Sequence, residues 1–454
     1  MAKIICVTSG LTGILNASFE LVARLKTQGH EVVYASPINV EQRVLAQGIN
    51  FIALPEINPH PGADLPSFSS PFKKTKRLLF KIKNASTRRK KALDNTFPHA
   101  FVQLLDEHSS DLVIIDVELH EYIFCAYAKG TPLLLLSQWF TLWKRPGLPY
   151  LLHDTIPGKG IKGKRLMIEL SWWVIRLQRW WTFTKQKYYS VFTNRRTILL
   201  DLAKKVGFPK AFIRENNWPG PFTYGQLPVI SMTAEELEFP HSPRPNLFYI
   251  GPMVYENRVD PVVSKKTPYS IEDVFTLQDQ KKAALLYCSV STLHKGDQLF
   301  IKNLIAAVKD KKDWLLIIGM GGLIDTSIFG QLPANIFAFE RVPQLKVLEK
   351  AHCSINHGGI HTINECIHYK VPMLIYSGKR SDQNGCAARI AYHKLGIMAD
   401  KDVDDSVAIQ ANIHEILNNS SFAKRMNEIH KRYEAYKKEA RLESVVDRIL
   451  NKQG

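Results

Sequence analysis

Short apolar runs alternate along the chain with segments whose apolar residues recur every three or four positions, the pattern of strands alternating with amphipathic helices. At the start, Ile4-Ile5-Cys6-Val7 reads as a strand and Ser9-Gly10-Leu11-Thr12-Gly13 as a turn. Phe19, Leu21, Val22 and Leu25 then mark one face of a helix that Gly29 ends. Glu31–Ala35 is the next strand, and the runs Asp111–Ile115 and Thr131–Leu136 continue the alternation. Such a series predicts a parallel sheet covered on both faces. The pattern restarts after Pro240, Pro243, Pro245 and Pro252, which flank the run Leu247–Ile250, with Pro261 and Pro268 beyond. Runs at Ala284–Cys288, Trp314–Gly319, Ile336–Ala338, Cys353–Asn356 and Val371–Tyr376 follow. The expected fold class is therefore α/β, with two facing, doubly wound parallel-sheet domains over residues 1–240 and 241–420. A charged helical tail over 421–454 is expected to pack across their junction. Ligands of open parallel sheets bind beyond the carboxyl ends of the strands, so two such domains place a cleft where two substrates can meet.

Length and composition agree with this plan. The 454 residues suffice for two or three domains, and 45% hydrophobic with 22% charged residues is an ordinary globular mix. No apolar run reaches the roughly 18–20 residues that span a bilayer, and the opening MAKIICVTSG lacks the layout of a secretory leader. Six scattered cysteines without a CxxC pair read as reduced thiols, so a cytoplasmic location is expected.

The net charge of +18 is confined to two segments. Residues 72–92 hold ten basic side chains and no acid; residues 143–188 hold ten more against Asp154 and Glu169. The first segment interleaves Leu78, Leu79, Phe80 and Ile82, and the second carries Trp143, Trp172, Trp173, Trp180 and Trp181, five of eight tryptophans. Cationic side chains beside indoles and leucines suit an anionic membrane surface; a solvated basic face over a core helix is the competing reading. Nucleic acid is not an expected partner, because no nucleic-acid-binding signature accompanies the charge.

The most specific stretch runs from Arg341 to Arg389. It contains Val342-Pro343-Gln344, then His357-Gly358-Gly359-Ile360-His361-Thr362-Ile363-Asn364-Glu365, then Val371-Pro372 and Asp382-Gln383. Gly358-Gly359 follow an apolar run and open a helix, so backbone N–H groups and the positive helix end can meet a diphosphate. His357, Thr362 and Thr292 can donate to phosphate, Glu365 can accept from a ribose, and Asp382 with Gln383 suits sugar hydroxyls. This ordered block resembles the donor-binding signature of the UDP-glycosyltransferases, the family 1 glycosyltransferases of GT-B fold. Tyr249-Ile250-Gly251-Pro252 and the loop Ser289-Val290-Ser291-Thr292 are similar to further family segments. The resemblance implies two facing Rossmann-like domains with a UDP-sugar in the downstream one, Val342 and Gln344 lying beside the uracil. It implies an inverting transfer with the UDP-sugar as co-substrate, no other cofactor and no metal. Asp402-Val403-Asp404 looks like a metal-binding triplet, but its place just before a helix reads as capping. The sequence departs from the signature at His361, where Asn is usual, at Ser291, and in the spacing from Pro372 to Asp382.

One expected part is missing. The family carries a catalytic His in a Gly-His turn after the first strand, held by an Asp; here Gly13 is followed by Ile14, while the Asp matches Asp116. Three accounts stand open. Asp116, Glu118 or His120 serves as base, His120 having the better intrinsic pKa at roughly 6.5; or the acceptor, an amine, carboxylate or acidic phenol, needs little activation; or the chain binds nucleotide sugars without turning them over. The acceptor is expected on the upstream domain and its Trp-rich insertion, roughly residues 142–187, which suits a hydrophobic or lipid-like molecule. A nucleotide-sugar epimerase on the same fold is the rival enzyme, and a non-catalytic sensor the rival binding protein.

Overall fold

The computed structural model describes residues 1–57, 73–141, 143–217, 220–242, 244–259, 268–289, 297–321 and 330–451. The upstream lobe begins β1 (Lys3–Val7), α1 (Thr12–Thr27), β2 (Glu31–Ser36), α2 (Glu41–Leu45), β3 (Asn50–Ala53). Three helices follow, α3 (Lys73–Lys83), α4 (Ala85–Thr96) and α5 (His99–His108), and then β4 (Leu112–Asp116), α6 (His120–Ala128) and β5 (Leu133–Ser137). Next come α7 (Arg165–Tyr189), α8 (Arg195–Lys205), the antiparallel pair β6 (Ile213–Glu215) and β7 (Phe222–Tyr224), β8 (Val229–Ser231) and β9 (Leu247–Tyr249). The main sheet is parallel in the order β3-β2-β1-β4-β5-β8-β9. Leu112, Val113, Ile114 and Ile115 of central β4 are wholly buried, as a parallel strand covered on both faces requires.

The downstream lobe repeats the scheme. It runs α9 (Ile271–Lys281), β10 (Ala284–Ser289), α10 (Asp297–Val308), β11 (Trp314–Gly319), β12 (Ile336–Phe339), α11 (Gln344–Lys350), β13 (Cys353–Asn356), α12 (Ile360–His368), β14 (Met373–Tyr376), α13 (Gln383–Tyr392), β15 (Gly396–Ala399). Its parallel sheet has the order β12-β11-β10-β13-β14-β15. In each sheet the order reverses beside the lobe's first strand, β1/β4 above and β10/β13 below, which opens a crevice at the strand ends.

The expected boundary at residue 240 needs correction. Leu247–Tyr249 does not open the downstream lobe; it pairs with β8 as the last strand of the upstream sheet. Phe248 packs against one upstream core cluster and Tyr249 lies in the other, its hydroxyl 2.9 Å from Thr141 Oγ1. Pro240 and Pro245 thus lie in the crossover from β8 to β9.

The tail forms α14 (Ser406–Asn418), α15 (Ser420–Lys438) and α16 (Arg441–Leu450). On α15, Tyr433 donates to Asn364 of α12 at 2.9 Å. On α16, Leu442 and Val446 enter the upstream core with Ile14 and Phe19, and Glu443 accepts two bonds from Arg24 of α1, at 2.8 and 2.6 Å. One continuous helical tail therefore fastens both lobes.

Candidate functional site

A cavity of about 560 Å³ lies between the lobes at the carboxyl ends of both sheets. The upstream wall is Thr12, Gly13 and Asn16 in the first turns of α1, Arg43 of α2, and Gln138 and Trp139 after β5. The downstream wall includes Tyr287 and Ser289 of β10, Gly319, Val342, Gln344, His357, the opening of α12 and the start of α13. Asn16 Oδ1 accepts from Arg43 at 2.7 Å, which holds that guanidinium at the rim.

The turn into α12 is built for a close approach. Asn356 Oδ1 accepts from Gly358 N at 2.9 Å, and Gly358 adopts φ +83°, the left-handed region that favours glycine. A side chain there would also press on Ile375 at 3.0 Å and on the Gln383 carbonyl at 3.1 Å. Gly359 precedes the helix without a side-chain cap, so the first-turn amides and the positive helix end open onto the cavity beside His357 and Thr362.

A buried polar chain backs this turn. Arg258 donates to Glu365 Oε1 at 2.8 Å, both side chains under a tenth exposed. Gln344 donates to the other Glu365 oxygen and accepts from Tyr287 OH at 3.1 Å. Val342 lies against Gly319 and Tyr287 edges the same wall. At the start of α13, burial pushes the Asp382 carboxyl up to about 6 despite a 3.1 Å bond from Cys386. Gln383 Oε1 accepts from Gly378 N at 2.9 Å.

His361 reaches across the cleft. Its Nε2 lies 3.0 Å from Gln138 Oε1, and its ring fills the space over Gly13, where an added Cβ would come within 2.8 Å of Cδ2. With the Gln138 amide oxygen accepting, Nε2 carries the proton and Nδ1 the lone pair. That Nδ1 is buried and makes no hydrogen bond among the described residues. Burial first, and the Arg258 charge second, hold the imidazole down at about 4, so it is neutral at pH 7.

Comparison with known proteins agrees with this geometry. Residues 317–443 match the family described as Erythromycin biosynthesis protein CIII-like, C-terminal domain. An uncharacterized UDP-glucosyltransferase, YdhE, of Bacillus subtilis (strain 168) is 28% identical over 201 residues, 44% of this chain and 47% of that protein. The alignment thus spans about half the length of that relative. The zeaxanthin glucosyltransferase of Pantoea ananas is 22% identical over 426 residues, 93% of this chain and 89% of that one. Among solved structures, the glycotransferase of kitacinnamycin superposes with TM-score 0.67 at 18% identity, covering 99% of this chain and 98% of the other. The chain resembles family 1 glycosyltransferases in sequence and shares the fold of the solved glycosyltransferases.

Within this glycosyltransferase fold the sequence-derived donor residues converge. Val342, Gln344, His357, Gly359, Thr362, Glu365, Asp382 and Gln383 all line the one cavity, and Gly358 shapes the turn behind it. Thr292 lies outside the described residues. The catalytic candidates fare differently. His120 is 1% exposed and turned away from the cleft, with Nδ1 2.7 Å from Tyr224 OH and its ring edge-on to Phe222. Burial drives it down to about 3, so it is a core histidine of an aromatic nest. Asp116 is buried beneath the strand ends and accepts from the Ser9 and Glu118 amides at 3.3 and 3.1 Å; no histidine stands against it among the described residues. Burial, then Asp116 and Asp382, raise half-buried Glu118 to about 8. Asp402 and Asp404 do not cap either. Asp402 pairs with Lys379 at 2.6 Å, Asp404 accepts from Tyr376 and Asn412, and the neighbouring Asp405 caps α14.

Ile14 itself faces the upstream core with no exposure, so the residues of α1 that meet the cleft are Thr12, Gly13 and Asn16. Ile14→His should therefore restore no base and instead destabilise the fold by roughly 2–3 kcal/mol through a buried, unsatisfied imidazole. Chemical denaturation together with turnover checks this; a gain in O-glycosylation without loss of stability would contradict it. Gln138, Arg258, Arg43 and the role of His361 were absent from the sequence reading. Only His361 had left a signal, as a departure from the family's Asn.

Proposed function

We propose that the protein is an inverting glycosyltransferase that moves a hexose from a UDP-sugar to an apolar small-molecule or lipid acceptor. The observation that carries this reading is the single cavity in which the downstream motif meets Gly13, Asn16 and Gln138 of the upstream lobe. In this reading the diphosphate sits at the opening of α12, met by first-turn amides, His357 and Thr362. Val342 and Gln344 flank the uracil. Glu365, held by Arg258 and Gln344, retains lone pairs for the ribose hydroxyls, and Asp382 with Gln383 holds the hexose.

The chemistry follows from that seating. In this proposal His361 takes the proton of the acceptor hydroxyl on Nδ1, which is buried as it stands and is uncovered by a turn of the ring away from Gly13. The acceptor oxygen attacks the anomeric carbon from the face opposite the phosphate, the carbon–oxygen bond to the β-phosphate breaks, and UDP leaves. Negative charge growing on the diphosphate is met by the helix end and by Arg43 and Arg341, which line the same cavity. In this proposal those groups take the place of a divalent ion. An apolar acceptor is supported by the relative named for zeaxanthin, and all six cysteines are free, buried thiols, in keeping with a reducing cytoplasm.

Titration calorimetry with UDP, dTDP and a UDP-hexose tests the donor assignment. UDP is expected to bind more tightly than dTDP. The UDP-hexose should lose affinity relative to UDP as pH falls from 7.5 to 5, up to about tenfold, because Asp382, pushed up to about 6, becomes protonated and loses the charge that strengthens its acceptance from sugar hydroxyls. Absence of heat with every nucleotide, in demonstrably folded protein, would overturn the assignment. Tight UDP binding with no transfer or hydrolysis would favour the sensor reading.

A further inference from the structure

Helix α7 has two apolar faces. Ile168, Trp172 and Ile175 are buried against the upstream lobe, where Trp172 Nε1 donates to the Leu148 carbonyl at 2.7 Å. Leu166, Leu170, Trp173, Leu177 and Trp181 fall at i, i+4, i+7, i+11 and i+15, which places them on one stripe of the helix. That stripe points away from the protein, with exposures between 48% and 79%. At a rise of 1.5 Å per residue it runs for roughly 23 Å. Isolated exposed apolar residues need no explanation, but a continuous stripe of this length marks an interaction surface.

The charges around it identify the partner. Exposed Arg165, Arg176, Lys185 and Lys187 border the stripe. The one acid of α7, Glu169, is engaged by Lys144 at 2.6 Å and by the Gly147 amide at 3.0 Å. At the far end Lys81 of α3 donates to the Tyr189 carbonyl at 3.1 Å, which joins to this surface a second helix carrying exposed Leu78, Leu79 and Ile82 among Lys76, Arg77 and Lys83. A second copy of the same cationic face would be repelled. A bilayer with anionic headgroups satisfies both features, since indoles and leucines enter the interface while lysine and arginine reach the headgroups. No helix among the described residues is long and apolar enough to cross a membrane.

We propose that this face docks on an anionic lipid bilayer, with α7 lying in the plane of the interface and Trp173, Leu177 and Trp181 inserted. The contact deepens the proposed acceptor reading by bringing the cleft to an apolar substrate dissolved in the membrane. The segment before α7 supplies the link. Leu148 and Ile156 pack with Phe239 and with Ala388 of α13, the helix whose start holds Asp382 and Gln383. Docking itself needs no turnover, so its test is separate from that of the donor site.

The test is flotation of the full chain with vesicles of phosphatidylcholine alone, or with one-third phosphatidylglycerol, at low and high salt. Brominated lipids read tryptophan insertion in the same samples. Binding to the anionic vesicles, weakened by salt and accompanied by quenching, is expected. The double substitution Trp173→Ser, Trp181→Ser should lower partitioning roughly tenfold or more. Arg176→Gln and Lys187→Gln should each lower it on the order of fivefold, on anionic vesicles only. Unchanged UDP binding in every variant shows that the fold is intact. Equal binding to neutral vesicles, bound protein without quenching, or a self-associated species that the tryptophan changes abolish while vesicles bind nothing would each overturn the proposal.

Discussion

Replacing His361 with asparagine should lower the rate of sugar transfer to a neutral hydroxyl by about 10²- to 10⁴-fold, the span of a lost general base, while UDP binds nearly as before. Three structural facts set this expectation. The ring stands over Gly13 at the upstream wall, its Nε2 proton is committed to Gln138, and its Nδ1 lone pair is buried without a partner among the described residues. Burial and the Arg258 charge hold the imidazole at about 4, which makes it a weak base. A diphosphate bound at the start of α12 brings negative charge beside the ring, which favours the imidazolium and raises its basicity. The base thus strengthens when the donor arrives. Because the imidazole must be neutral to accept the proton, activity should fall as pH drops through its value in the complex, which lies above 4. Measured at saturating donor, where the Asp382 effect on binding drops out, that acid limb should vanish in His361→Asn. Gln138→Leu should cost less, by releasing the tautomer rather than removing the base, and Gly13→Ala should act by displacing the ring. A large loss of UDP affinity in His361→Asn with turnover preserved would make His361 a phosphate contact and overturn the assignment.

How far the sequence could reach follows from the range of each signal. The strands were legible because a parallel strand buried on both faces is a continuous apolar run; Ile4–Val7 falls within β1 and Cys353–Asn356 coincides with β13. The downstream wall of the cavity was legible because its residues are clustered in sequence between Arg341 and Gln383, on turns that follow parallel strands. What failed was everything decided across the cleft or by helix rotation. Alignment placed Ile14 at the base position, but its rotation on α1 sends it into the core. His120 follows β4 on a turn that leads towards the cleft, yet its side chain is drawn down to Tyr224, 104 residues away. The five tryptophans of the insertion were one group in the sequence; in the fold, Trp143 and Trp172 are buried while Trp173, Trp180 and Trp181 face outward. Only the 100° step of a helix separates Trp172 from Trp173. Leu247–Tyr249 was misassigned because a short edge strand does not reveal which sheet it joins, and the nearby prolines suggested a boundary.

Substituting Arg389 by leucine should destabilise the protein by about 3–5 kcal/mol, the cost of leaving a buried carboxylate without its counter-ion. Arg389 sits on α13 at the downstream wall, and Glu238 on the crossover between β8 and β9; each side chain is 1% exposed. Arg389 Nε donates to Glu238 Oε1 at 2.8 Å, and Nη1 donates to the Gly385 carbonyl at 2.9 Å. The Thr141 and Phe239 amides donate to the same carboxylate, at 3.0 and 2.8 Å, and the guanidinium lies 4.7 Å from the Phe140 ring centroid and 4.6 Å from that of Phe239. Desolvation on this scale offsets most of the attraction between the charges, so the intact pair adds little net stability. Its asymmetry is what matters: one partner alone is worse than none. The double substitution Arg389→Leu, Glu238→Leu should therefore recover part of the loss, and the two changes should be strongly non-additive. Denaturant midpoints of the wild type, both single variants and the double variant measure this cycle. Because the pair fixes α13 against the upstream lobe, Arg389→Leu should also reduce turnover more than UDP affinity, by loosening the approach of Asp382 and Gln383 to the opposite wall. A loss below about 1 kcal/mol, or simple additivity, would show that the lobes are held by the tail helices rather than by this pair.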